Sequence, residues 1–138
     1  SNVITMNNMF KMSAFNEDIG YWNVGSVTRM DSMFYGTPFD KDISGWDVGK
    51  VNRMDLMFYD SSFNNNISDW DVRDVSNMSG MFERTPFDQD ISRWDVGKVT
   101  RMDYMFAYTP FDQDINGWDV KNVTNMRGMF ANARIYSN

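Results

Sequence analysis

Apolar side chains recur along this chain with a fixed step of 24 residues. Trp22, Trp46, Trp70, Trp94 and Trp118 mark one column, and Phe10, Phe34, Phe58, Phe82, Phe106 and Phe130 another. Met6 through Met126, Met9 through Met129, Ile19 through Ile115, Val24 through Val120, Val3 through Val123 and Phe15 through Phe111 keep the same step. No insertion or deletion breaks the register, so internal repetition organises the whole molecule. The boundaries follow: a partial repeat 1–14, repeats 15–38, 39–62, 63–86, 87–110 and 111–134, and a terminal fragment 135–138, within a single repeat domain.

Within a unit the polar spacing predicts two elements. Ile43-x-x-Trp46-x-Val48 alternates around Asp47, the period of a short strand with one buried face. Met54, Met57 and Phe58 stand at i, i+3 and i+4, the apolar face of a short helix. Thr28-x-x-Asp31 and Thr100-x-x-Asp103 read as capping boxes opening that helix, and Gly36, Pro38, Thr85-Pro86 and Thr109-Pro110 read as its end. The eight apolar side chains of one unit, from Phe39 to Phe58, bury too little to offset the entropy of ordering it. Neighbouring repeats must therefore cover its faces, as in a solenoid. The expected fold is an α/β solenoid of 24-residue repeats, each with one short parallel strand and a short helical turn.

Phe87-Asp-Gln-Asp-Ile-Ser-Arg-Trp-Asp-Val96 and Val123-Thr-Asn-Met-Arg-Gly-Met-Phe130 resemble the repeat of BspA-type leucine-rich-repeat surface proteins, a unit of about 25 residues. The resemblance covers essentially the whole chain. It implies a right-handed, leucine-rich-repeat-like superhelix displayed outside the cell, with roles in adhesion and protein contact. It supplies no catalytic motif and no defined ligand.

Charge and composition narrow the functional classes. A net charge of −6 disfavours nucleic acid and anionic membrane surfaces as partners. The absence of Cys and His removes disulfides, thiolate chemistry, the usual zinc sites and the Ser-His-Asp triad. No apolar run approaches the ~18 residues needed to cross a bilayer. Ser1-Asn2-Val3 already lies inside the repeat pattern, so an excised segment, or a mature chain lacking its signal and anchor, is expected. Neither end carries a clear polar cap: Ile135 replaces the expected Phe, followed by Tyr136-Ser137-Asn138.

The recurring columns read as scaffold. Met columns beside Phe at helical spacing fit core packing better than soft-metal ligation, and the Trp column fits packing better than sugar stacking or electron transfer. Asp47, Asp71, Asp95 and Asp119 form one acidic column, begun by Asn23, and Asp18, Asp42, Asp90 and Asp114 a second, interrupted by Asn66. Asp40, Asp88 and Asp112 share a third with Asn16 and Asn64. Interchange of Asp and Asn favours Asx turns over calcium held by pairs such as Asp88 and Asp90. Acids repeated alike in every unit lack the two differently tuned carboxyls of a glycosidase. The Thr28, Asn52, Ser76, Thr100, Thr124 column is too uneven for a regular ligand array. The sequons at Asn66, Asn77 and Asn122 are explained by their columns. No cofactor and no metal are expected.

Recognition belongs in the positions that vary. Tyr35, Leu56, Tyr59, Tyr104 and Tyr108 fall outside the repeated core set, on the side bearing the expected helix. Tyr is favoured at interfaces because it is large, rigid and amphipathic. These five are the candidate binding residues, against the plainer reading of scattered surface aromatics. The expected function is non-catalytic: a module on the cell or virion surface for adhesion or protein recognition. Its partners would be a host-surface protein, a matrix protein or further copies of itself. The alternative is a structural block of a stalk, fibre or capsid decoration, assembling through its ends or sides.

Overall fold

Each repeat rests on the next through a row of backbone hydrogen bonds in the computed structural model, which describes residues 4–133. The N–H groups of Met30, Ser32, Phe34 and Gly36 donate to the carbonyls of Arg53, Asp55, Met57 and Tyr59 at 2.7–3.0 Å. The N–H groups between them close turns inside the repeat: Met33 donates to Met30, Tyr35 to Ser32 and Thr37 to Phe34, at 3.2–3.3 Å. Later repeats copy this alternation, with Met54, Leu56, Phe58 and Asp60 donating to Asn77, Ser79, Met81 and Glu83.

This pattern overturns the expected α/β solenoid. No helix forms among the described residues. An α-helix would commit every N–H to the carbonyl four residues back. Here every second N–H leaves the repeat, and left-handed residues interrupt each turn: Ser32 (φ 56), Gly36 (φ 70), Leu56 (φ 57) and Asp60 (φ 54). Positive φ at the third residue of the turns Met30–Met33 and Phe34–Thr37 is the mark of type II turns. The spacing of Met54, Met57 and Phe58 thus comes from consecutive turns, which also bring every third and fourth side chain to one side.

The expected strand fails for a related reason. Trp46 N–H donates to the Ile43 carbonyl at 3.1 Å and Val51 N–H to Val48 at 3.0 Å, so this segment folds into two turns. The carboxylates of Asp42 and Asp47 accept the N–H groups of Ser44 (2.9 Å) and Gly49 (3.0 Å), fixing both as Asx turns. Among the described residues, parallel pairing survives only as single-residue bridges along Thr5, Arg29, Arg53, Asn77, Arg101 and Asn125. With strand and helical turn both absent among the described residues, the leucine-rich-repeat-like superhelix is not the architecture. The chain is a stack of turn-built coils.

The capping boxes dissolve with the helix. Thr28 Oγ1 donates to the Ile4 carbonyl at 3.0 Å and Thr100 Oγ1 to Ser76 at 3.1 Å, tying repeats together. Asp31 and Asp103 pair with Arg29 and Arg101 instead.

The core runs through the stack. Phe34 lies on Phe39 with ring centroids 4.0 Å apart, and each continues to its counterpart, Phe58 at 5.6 Å and Phe63 at 6.2 Å. The Met, Val, Ile and Trp columns join them, with Met30, Met33, Met54, Met57, Val51 and Ile43 fully buried. No buried side-chain nitrogen or oxygen lacks a partner among the described residues. Expectations placed on Ile135, on Tyr136-Ser137-Asn138 and on Ser1-Asn2-Val3 fall outside the described residues.

Candidate functional site

The turn wall carries all five candidate residues, and its backbone decides how they are displayed. Leu56, Tyr104 and Tyr108 occupy the left-handed third position of their turns, with φ of 57°, 59° and 59°. Left-handed backbone costs an ordinary residue about 1–2 kcal/mol, which makes large side chains here unusual. Part of that cost is offset by packing. A Cβ added to Gly80 would meet Leu56 Cδ2 at 2.7 Å, and one added to Gly128 would meet Tyr104 Cε1 at 2.5 Å. Leu56 and Tyr104 therefore each lie over the glycine of the following repeat.

Tyr35 and Tyr59 sit at the second turn position and stack on one another, with centroids 4.6 Å apart and planes 25° apart. Lys11 Nζ extends the row, 4.7 Å from the Tyr35 ring centre, a cation–π contact. The next residue in the row is Glu83. Its carboxyl is pushed above its ordinary value by burial, which outweighs the opposing pull of Arg84. Leu56 lies next to this row along the chain: the Tyr59 N–H closes a turn onto its carbonyl at 3.2 Å, and its side chain shares the space above Gly80 with Glu83.

Tyr104 and Tyr108 form a separate group further along the wall. Tyr108 lies under the Arg84 guanidinium at 4.2 Å. It borders a shallow groove of about 400 Å³ with Thr85, Pro86, Thr109, Pro110 and Asn132. The structure thus gathers Tyr35, Leu56 and Tyr59, and keeps Tyr104 and Tyr108 apart from them.

Two features outside the candidate set were not anticipated. Tyr21, the most exposed aromatic among the described residues at 80%, stands in a column otherwise filled by Gly45, Asp69, Arg93 and Gly117, an oddity visible in the sequence. Arg29–Asp31, Arg53–Asp55 and Arg101–Asp103 form two-pronged pairs at 2.8–3.1 Å, each made by a bridge arginine. The recurring Arg-Met-Asp triplet was their signal. Burial pushes the Asp103 carboxyl upward, but hydrogen bonds from Arg101 and Ser79 outweigh it and hold Asp103 below its ordinary value. Hydrogen bonding to Asp31, Asp55 and Asp103 raises the three guanidinium groups.

The Asp columns divide into two jobs. Asp18, Asp42, Asn66, Asp90 and Asp114 close Asx turns at 2.9–3.0 Å, as do Asn23, Asp47, Asp71, Asp95 and Asp119 at 3.0–3.2 Å. The third column links repeats instead. Asn16, Asp40, Asn64 and Asp88 each accept the N–H of the next residue in the column, at 2.9–3.0 Å. Asp88 and Asp90, weighed as a calcium pair, each spend one oxygen on backbone N–H. No group of three or more His, Cys, Asp or Glu residues able to hold a metal ion occurs among the described residues.

Neither the curated proteins nor the solved structures give a match to this chain. One family model does, over residues 1–86 and again over 61–138, overlapping segments that together run its full length. The chain belongs to the family described as Mycoplasma protein of unknown function, DUF285.

Proposed function

We propose that this chain is a non-catalytic recognition module displayed on a cell surface, which binds a partner protein through the Tyr35–Leu56–Tyr59 cluster. The observation that carries this reading is the stacking of Tyr35 on Tyr59 at 4.6 Å in a wall whose composition varies while the core repeats. A preformed aromatic row loses little side-chain entropy on binding. Lys11 at its edge adds a cation suited to an acidic or carbonyl-rich partner surface. Likeness to the BspA-type surface-protein repeat supports display outside the cell.

The test is binding of the fluorescently labelled chain to intact host cells and to immobilised extracellular-matrix proteins. Saturable binding that a Tyr35→Ser/Tyr59→Ser double variant loses, with its melting temperature kept, supports the reading. No binding by the parent chain, or equal binding by the variant, overturns it.

A further inference from the structure

Asn116-Gly117 is the sole Asn-Gly pair in the sequence, and it occupies the tip of the turn that Trp118 N–H closes onto the Ile115 carbonyl at 3.0 Å. Both residues are exposed. A Cβ on Gly117 would meet nothing within 4 Å. Among the described residues, neither the Asn116 carboxamide nor the Gly117 N–H makes a hydrogen bond. Several other asparagines are anchored: Asn16, Asn64, Asn66 and Asn77 each hold their side-chain oxygen against a backbone N–H. The equivalent turns carry Ser44-Gly45 and Ser92-Arg93, which lack the carboxamide.

We infer that Asn116 is a site of spontaneous backbone modification. The Gly117 nitrogen attacks Cγ of Asn116, forming a C–N bond as that nitrogen loses its proton. Ammonia departs with the proton and leaves a five-membered succinimide. Water then opens one of the two ring carbonyls, giving aspartate or isoaspartate, so the net change is water consumed and ammonia released. Glycine at the attacking position is what permits the approach, since it adds no side chain and restricts the backbone least. The shallow groove of about 240 Å³ that Asn116 and Gly117 share with Asp90, Ser92, Gln113 and Asp114 leaves room for the ring and the leaving ammonia.

The product matters to the stack. It places a new carboxylate between Asp114 and Asp119, taking the chain from −6 to −7 (one charge added). In the isoaspartate form it lengthens the backbone of the turn that delivers the Trp118 indole to the Ile91 carbonyl at 3.1 Å. The Ile115–Trp118 turn therefore changes in charge and fit with age, without an enzyme.

The experiment is incubation of the intact chain at mildly alkaline pH, followed by peptide mapping and isoaspartyl-methyltransferase labelling over time. Conversion concentrated at Asn116, and largely lost in Gly117→Ala with unchanged melting, is the expected result. Gly117 is a safe site for that change, because its φ is not left-handed and the Cβ position is open. Conversion spread evenly over the asparagines, an unconverted Asn116, or a Gly117→Ala chain that converts as fast as the parent would each overturn the assignment.

Discussion

Trp46 donates its indole N–H to the carbonyl oxygen of Ile19, 27 residues earlier, at 3.1 Å. Trp70, Trp94 and Trp118 repeat the bond to Ile43, Ile67 and Ile91 at the same length. A core side chain therefore satisfies its one polar atom on the previous repeat, so packing and hydrogen bonding enforce the same register. Trp46→Phe should cost about 1 kcal/mol for the lost bond, with lost packing in addition. The Ile19 carbonyl keeps the Trp22 N–H as a partner, which holds the cost at that level. Trp22→Phe removes no indole bond found among the described residues and should cost less. Urea unfolding of the two variants measures the difference.

Gly80 should resist even alanine. Its φ of 59° is left-handed, and the added methyl would press on Leu56 Cδ2 at 2.7 Å. Gly80→Ala is expected to lose about 1–2 kcal/mol from backbone alone. Adding Leu56→Ala should recover the part due to the clash, giving a measurable coupling in a double-mutant cycle. Strictly additive effects would mean that Leu56 does not rest on Gly80.

Asn64 tests the side-chain ladder. Its Oδ1 accepts both the Asp88 N–H at 2.9 Å and Gln89 Nε2 at 3.0 Å. Asn64→Asp keeps that oxygen and should be nearly silent, matching Asp40 and Asp88 at the same position in neighbouring repeats. Asn64→Ala should cost about 1–2 kcal/mol, read by thermal or urea unfolding.

Acid should weaken the stack. Hydrogen bonds from the Ser44 hydroxyl and N–H hold Asp42 low, those from the Ser92 N–H and hydroxyl hold Asp90 low, and Asp103 is low despite its burial. A carboxyl lowered on folding stabilises fully above the ordinary Asp value of about 3.9 and loses that contribution as pH falls through its folded value. Glu83 runs the other way: raised by burial, it favours the folded chain below the ordinary Glu value and loses that contribution as pH climbs through its raised one. Stability should fall in acid below about pH 4, and Glu83→Gln should raise it at neutral pH. Melting curves across pH check both.

The repeat, its register and its core columns were legible because apolar identity at a fixed step survives any local conformation. Phe34, Met54 and Trp46 are buried as their columns imply. The local elements were not legible, because a spacing of i, i+3, i+4 is shared by a helix and by a run of tight turns. What separates them is the sign of φ at Leu56, Tyr104 and Tyr108, where neither Gly nor Asn marks the sequence. The Asp and Asn of the first two columns announced Asx turns correctly, whereas Asn16, Asp40, Asn64 and Asp88 reach across to the next repeat. Their composition is the same, and only three-dimensional placement distinguishes them. The five candidate residues share one wall, but the stacking that unites Tyr35 with Tyr59, 24 residues apart, follows from coil-on-coil alignment rather than from sequence proximity.

The alternation of the turn wall has an electrical consequence. The peptide groups joining Arg29 to Met30, Asp31 to Ser32, Met33 to Phe34 and Tyr35 to Gly36 all point their N–H toward the next repeat and their C=O toward the previous one. Peptide dipoles of about 3.5 D placed head to tail add along the stack, as they do along a helix axis. The positive pole faces the higher-numbered repeats and the negative pole the lower, so the wall behaves as a polar rod. Any charged group lying along it meets a field that reports which way the chain runs.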